Sequence, residues 1–268
     1  LGLSFVVLNN APGCENIQEI QLHCLNPPIC PSDIIIISQS QIDLFPIIYP
    51  GCSRISGDLN LDLNVNMSDM NGFEQIESVE GDFTIYSNNL SDFVSLSGLS
   101  NLDSVYGKVN IHLNSKLISL TGFDQLKFIG GGLSITHNNK IEEIPEFKEL
   151  EEIGGLLAIS SNPELGALNS LNKLKSVGGN ILLNSNNGFT SVSGLNQLES
   201  VAGSLIIEDH SDLLTLNAFK NLKSVGMNLE INDNDSLEDL NGLESLEMVG
   251  GELFLEENPM LKNLFGLY

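Results

Sequence analysis

Apolar residues recur in this chain with a period much longer than a helical turn or a strand pleat. The stretch VGGNILLNSNNGFTSVSGLNQLES (177–200) has two glycines, an alternating apolar run, a knot of asparagines and an apolar tail. The next stretch, VAGSLIIEDHSDLLTLNAFKNLKS (201–224), begins the pattern again. Aligned on V/I-x-G-x-L-x-I/L, nine copies emerge, anchored at Gly57, Gly81, Gly107, Gly131, Gly155, Gly179, Gly203, Met227 and Gly251. The step is 24 residues throughout, except for 26 between Gly81 and Gly107. A fixed period in the twenties predicts a solenoid, in which each repeat buries its apolar face only against its neighbours.

The pattern also assigns positions within each coil. In GxLxI the two apolar residues point to one side of a short strand, so Leu205 and Ile207 are predicted to face the core. Stacked copies then pair in parallel, and nine strands about 4.8 Å apart span roughly 40 Å. Three residues past the last apolar position stands an asparagine: Asn64, Asn88, Asn114, Asn138, Asn162, Asn186, Asn234 and Asn258, with His210 replacing it once. An inward asparagine carries a donor and an acceptor, so it can satisfy the buried backbone of its own turn and of a stacked coil. An asparagine ladder is the expectation. The remaining walls come from segments such as FTSVSGLNQLESV, where Phe189, Val192, Leu195, Leu198 and Val201 turn inward. With Ser and Gly inside ten residues, short 3₁₀ turns or extended coil are predicted there, with Gly194 and Gly242 at tight corners or positive φ. The two-residue excess between Asn88 and Leu96 is expected to bulge outward and leave the sheet undisturbed. The fold class is thus a right-handed β-solenoid of the leucine-rich-repeat kind, with a parallel sheet as one face. Residues 1–54 form an N-terminal cap and 55–268 the nine repeats. The sequence stops midway through a repeat, so a fragment or a continuing array is expected.

Composition narrows the function. With 11 Lys+Arg against 35 Asp+Glu the formal charge is -24. That balance argues against nucleic acid, whose binding relies on cationic side chains displacing counterions from phosphate, and against anionic membrane surfaces. No apolar run approaches the roughly 18 residues of a membrane span, so no membrane insertion by this segment is expected; Leu1–Leu8 reads as a signal-sequence stub or a first cap strand. All four cysteines (Cys14, Cys24, Cys30, Cys52) precede residue 53. An even number confined to one end favours a disulfide-bonded cap in an oxidising compartment. Their spacings lack the paired CxxC that zinc prefers.

The stretch CPSDIIIISQSQIDLFPIIYPGCSRISGDLNL (30–61) resembles the opening of the receptor L domain, known from the insulin and epidermal growth factor receptors. There a CP..D start also leads through a strand and short helix into a CS.I.G.L.I strand. The repeats of 55–268 are similar to L-domain-like repeats of fungal cell-wall proteins and bacterial surface proteins. By matched position the resemblance implies a Cys30–Cys52 bridge, which leaves Cys14 with Cys24. It implies an extracellular, non-catalytic module. Receptor L domains have about five or six coils and this chain has nine, so a hormone-receptor role is not implied. The acidic, lysine-poor repeats favour a microbial surface protein.

No catalytic constellation is found. His210 reads as a structural replacement in the ladder, His137 sits beside Asn138, and His112 projects from a strand without metal-ligand neighbours. GxSxG and phosphate-loop motifs are absent from the sequence. NDNDSLEDL (232–240) resembles a calcium loop but lacks the glycine and glutamate such a loop requires. No metal and no cofactor are therefore expected. The sequons at Asn66, Asn89 and Asn234 are about as many as chance supplies.

The outward strand positions remain. Three columns are predicted: Asp58, Asp82, Lys108, Gly132, Leu156, Asn180, Ser204, Asn228, Glu252; Asn60, Thr84, Asn110, Ser134, Ala158, Leu182, Ile206, Glu230, Phe254; and Asp62, Tyr86, His112, Thr136, Ser160, Asn184, Glu208, Asn232, Glu256. The N-terminal half is small and polar around Tyr86 and His112. The C-terminal half carries Leu156, Leu182, Ile206 and Phe254 beside Glu208 and Glu230. Contiguous exposed apolar residues on a sheet mark contact surfaces. With threonine only at 84 and 136, an ice-binding face is rejected. Two readings stay open: recognition or adhesion, with a protein, a glycan, or neighbouring domains or copies as partner, and a stiff structural spacer or envelope component without a specific ligand.

Overall fold

In the computed structural model the described residues are 30–62, 67–87, 95–144 and 146–267. Cys14, Cys24, His23, Asn64, Asn66, Asn88 and Asn89 lie outside them, as do Leu1–Leu8 and most of the segment carrying the two-residue excess. From Arg54 onward each coil contributes a two-residue strand and a four-residue strand. The four-residue strands, from Leu59–Asp62 to Leu253–Glu256, stack in sequence order as one parallel sheet. That sheet has ten strands rather than nine, because Ile34–Ile36 of the cap pairs with Leu59–Asp62 and starts the stack. The two-residue strands, from Arg54–Ile55 to Met248–Val249, build a second parallel sheet of nine.

The sequence reading treated positions such as Val201 only as core wall. The second sheet arises because the residue before each of these inward apolar positions is extended in every coil. Its amide neighbours bond to the preceding coil, as Glu199 N does to Lys175 O at 2.8 Å and Ala202 N to Val177 O at 2.9 Å.

Register is strict. Leu157 pairs with Leu133 and Ile181, and Ile159 with Ile135 and Leu183. Across the 26-residue step Phe83 still pairs with Val109 and Ile85 with Ile111, so the insertion leaves the sheet in step. The inward residues from Leu59 to Ile231 form one continuous buried core. At the last strand Leu253 is 44 % exposed, because that strand has a neighbour on one side only.

Between the sheets the chain turns through 3₁₀ segments at Asn71–Phe73, Ser97–Leu99, Ser193–Leu195 and Asn217–Phe219. Gly242 adopts φ 109°, as a tight corner demands. Gly194 does not need positive φ. It is required because a Cβ there would lie 2.6 Å from Ser170 N of the preceding coil.

The cap covers the first coil with the helix Gln39–Ile48, which turns Ile42 and Phe45 inward. Phe45 packs on Tyr49 and edge-on against Phe73, with ring centroids 5.3 and 5.1 Å apart. The Cys30–Cys52 disulfide ties the segment before Ile34–Ile36 to the turn that follows the helix.

The asparagine ladder is present. Asn114 N donates to Asn138 Oδ1, Asn138 N to Asn162 Oδ1 and Asn162 N to Asn186 Oδ1, each at 3.0 Å. The side-chain amides of Asn138, Asn162 and Asn186 donate to Ile111 O, Ile135 O and Ile159 O at 2.9, 2.9 and 2.8 Å. Each asparagine therefore serves the preceding coil through both its oxygen and its nitrogen. Asn258 continues the same pattern, accepting from Asn234 N and donating to Ile231 O, and Asn234 keeps the nitrogen's bond to Ile207 O, which fixes Asn234 in the ladder rather than in a calcium loop.

His210 interrupts it. Its Nδ1 lies 3.1 Å from Asn186 O and its ring stacks on Phe189 at 5.3 Å. The next rung's oxygen, Asn234 Oδ1, is buried without a partner. Burial holds the His210 imidazole below its ordinary pKa, against backbone hydrogen bonds to Asn186 and Leu183 that act the other way.

Candidate functional site: the outer face of the long sheet

The residue after each four-residue strand adopts the left-handed conformation in seven coils: Leu113, His137, Ser161, Ser185, Asp209, Asp233 and Glu257 have φ between 51° and 59°. This bend swings the chain inward, so that the next residue becomes the ladder asparagine. It leaves the side chain before the asparagine at the rim of the sheet's outer face. His137 sits at this rim.

The first of the three predicted outward columns is not a free surface. Asp33 Oδ1 accepts from Asp58 N at 2.9 Å, Asp58 Oδ1 from Asp82 N at 2.8 Å, and Asp82 Oδ1 from Lys108 N at 2.7 Å. Farther along, Asn180 Oδ1 accepts from Ser204 N at 2.9 Å, Ser204 Oγ from Asn228 N at 3.2 Å, and Asn228 Oδ1 from Glu252 N at 3.1 Å. This second polar ladder caps the amide that enters each strand. It takes most of the column out of the candidate site. Between its two runs stand Lys108, Gly132 and Leu156, whose side chains carry no acceptor. Gly132 is buried and the Leu156 side chain, 40 % exposed, lies over it.

Of the other two columns, Ala158 and Ser160 are buried, while Asn60, Asp62, Thr84, Tyr86, Asn110 and His112 are half-buried on the N-terminal strands. Tyr86 and His112, register partners, hold their rings 4.9 Å apart at a 33° tilt. A shallow hollow beside them is lined by Ile35, Asn60, Asp62 and Thr84. Desolvation lowers the His112 pKa, and the neighbouring His137 lowers it further. Ile35, 61 % exposed, was not singled out from the sequence. Its signal was the unbroken IIII run at 34–37, in which alternate residues of a strand must point outward.

On the C-terminal strands Leu182 pairs with Ile206, Ile206 with Glu230, and Glu230 with Phe254. All four are half-buried. Glu230 accepts from Asn228 Nδ2 at 3.1 Å. Glu208 and Glu256 flank this row, and Asp209, Asp233 and Glu257 follow at the rim. A hydrogen bond to Asp233 and the repulsion of its carboxylate hold the Glu257 carboxyl above its ordinary pKa.

The candidate residues thus fall into two groups, Tyr86 with His112, and Leu182 and Ile206 with Glu208, Glu230 and Phe254. Small residues, Ser134 and Ala158, separate them in the middle column. A further exposed aromatic pair, Tyr106 and Phe128 at 5.2 Å, belongs to the second sheet and its corner rather than to this face. Sequence reasoning passed over it because only the long strands were searched for outward residues.

Charge is distributed unevenly. Lys127, Lys140, Lys175, Lys223 and Lys262 each bond a carboxylate one coil away: Asp103, Glu164, Glu151, Glu199 and Glu238. From Gly132 to Glu256 the three outward columns contain no lysine or arginine. The outer face of the C-terminal half is therefore strongly acidic.

Among the described residues no helix is long and apolar enough to cross a membrane. No curated protein and no solved structure matches the chain. The model of one family, described as Receptor L domain, matches residues 51–126 and again 177–265. Together these two segments take in more than half of the sequence, and both lie on one uninterrupted sheet. By its repeats, its bridged cap and this double match, the chain belongs to the receptor L domain family.

Proposed function

We propose that this protein is a non-catalytic recognition or adhesion module of the cell surface or secreted space, binding a protein or glycan partner through the outer face of its long sheet. Membership of an extracellular ligand-binding family supports this setting, as does the disulfide, which persists in oxidising compartments. One observation carries the reading. Inward strand positions are apolar in every coil, whereas the free outward positions change in character from Asn60 and Thr84 to Leu182, Ile206 and Phe254. Solenoids build extended binding surfaces in this way, while a spacer has no reason to vary its face.

Within that face the C-terminal half is the contact surface, because adjacent half-exposed Leu182 and Ile206 supply an apolar anchor rimmed by carboxylates. The test compares the face with positions outside it. Leu182→Ser with Ile206→Ser should leave the melting curve nearly unchanged and weaken attachment to the outer surface of the source cells roughly tenfold, from about 1.5 kcal/mol of lost burial. Breaking the Lys175–Glu151 and Lys223–Glu199 pairs, which lie outside the three outward columns, should leave attachment intact. Attachment that survives the face variant, and every other change to the face, identifies a spacer.

A further inference from the structure

The acidic, apolar half of the face defines the chemistry of its partner. We propose, resting on the recognition reading above, that this half receives an amphipathic helix bearing lysine or arginine. The helix lies across the strands, with its apolar stripe on Leu182 and Ile206 and its basic flank along Glu208, Asp233 and Glu256.

Three observations lead there. First, the face offers side chains and not backbone groups, since the N–H and C=O groups of the strands Ile181–Asn184 and Leu205–Glu208 are consumed in the sheet. An extended peptide laid on it would leave its own backbone unsatisfied, whereas a helix bonds its backbone internally. Second, the spacing fits. Glu208 and Glu256 occupy one column two strands apart, about 9.6 Å at 4.8 Å per strand. Seven residues of helix rise about 10.5 Å, so basic residues at i and i+7 meet these two carboxylates. Third, among the described residues no lysine or arginine forms an ion pair with Glu208, Asp233 or Glu256. The columns contain no lysine or arginine from Gly132 onward, and the lysines bonded to neighbouring coils hold acids outside these columns.

A calcium ion does not meet the same need. It takes six to eight oxygens converging at about 2.5 Å, and these carboxylates are strung across three coils. Among the described residues no group of three acidic, histidine or cysteine side chains is placed to hold a metal.

The probe is a synthetic 18-residue amphipathic peptide of leucine and lysine, titrated calorimetrically into the intact chain at low and at high salt. Binding should weaken as salt rises. Leu182→Ser with Ile206→Ser should weaken it roughly tenfold. Glu208→Gln with Asp233→Asn and Glu256→Gln should do the same and flatten the salt dependence. Glu151→Gln with Glu199→Gln and Glu238→Gln removes the same charge outside the three outward columns and should change nothing. The proposal is overturned if both charge variants weaken the peptide equally, or if a leucine–glutamate peptide binds as well. It is also overturned if the lysine peptide does not bind while Leu182→Ser with Ile206→Ser still weakens cell attachment. In that last case recognition through the face stands and only the basic helix is wrong.

Discussion

The two ends of the long sheet share one interior and differ outside. On the strands from Ile34–Ile36 to Val109–His112 the core is Ile, Leu, Phe and Val, the strand-entry amides are capped by Asp33, Asp58 and Asp82, and the face carries Asn, Thr, Tyr and His. On the strands from Ile181–Asn184 to Leu253–Glu256 the core is of the same kind. There the caps are Asn180, Ser204 and Asn228, and the face carries Leu, Ile, Phe and Glu. The two matches to the family model fall on these two regions. The capping ladder lapses at Lys108, Gly132 and Leu156, and the last two of these stand in the coils between the matches. The comparison teaches that stacking is maintained by inward and capping positions. Outward positions are free to diverge, and divergence along a continuous sheet gives one molecule two unlike surfaces.

The largest expected effect breaks the N-terminal side of this comparison. Cys30→Ser should cost about 3 kcal/mol, since the bridge closes a loop of 22 residues. Chemical denaturation should show the loss, and reducing agent should reproduce most of it in the unaltered chain. Next is Asn162→Ala. It strips Asn138 N and Ile135 O of their buried partner, at about 2 kcal/mol. The same change at half-buried Asn258 should cost less, so a pair of denaturation curves tests whether the ladder's value lies in burial.

His210→Asn sharpens the comparison in the opposite direction, because it restores the interrupted rung. The variant should be more stable than the parent at neutral pH, by an amount near 1 kcal/mol. The pH dependence follows from the lowered His210 pKa. The unfolded histidine takes up its proton first, so the parent is fully stable above about pH 6.5 and loses stability as pH falls toward the folded value, by up to ~1.4 kcal/mol per pH unit. The asparagine variant should lack that acid-side loss. Melting curves at pH 7 and pH 5 check both the sign and the window. Smallest of all, Lys175→Ala removes an exposed pair with Glu151 and should leave the melting temperature unchanged within error.

Much of this was legible in the sequence. The period, the inward pairs such as Leu205 and Ile207, the asparagine rungs and the substitution of His210 are all fixed by side-chain chemistry that stacking makes repetitive. What escaped was set by backbone geometry. The short strands such as Ser200–Val201 are too brief to show alternation. The tenth long strand, Ile34–Ile36, has no glycine anchor to join it to the repeat. The capping role of Asp58, Asp82, Asn180 and Asn228 was hidden because a polar residue at an outward position looks the same whether it faces solvent or bonds the next coil. The candidate site was legible as positions and not as groupings. Only the structure brings the Tyr86 and His112 rings together and shows Ala158 and Ser160 buried between the halves.

The division of labour between the halves is tested most directly by binding to the outer surface of the source cells with two variants of equal size. One carries Leu182→Ser with Ile206→Ser, the other Tyr86→Ala with His112→Ala, and both are checked for unchanged melting. The account predicts roughly tenfold weaker binding for the first and full binding for the second. Full binding by the first, with loss confined to the second, would contradict it and place the recognition surface in the hollow beside Ile35.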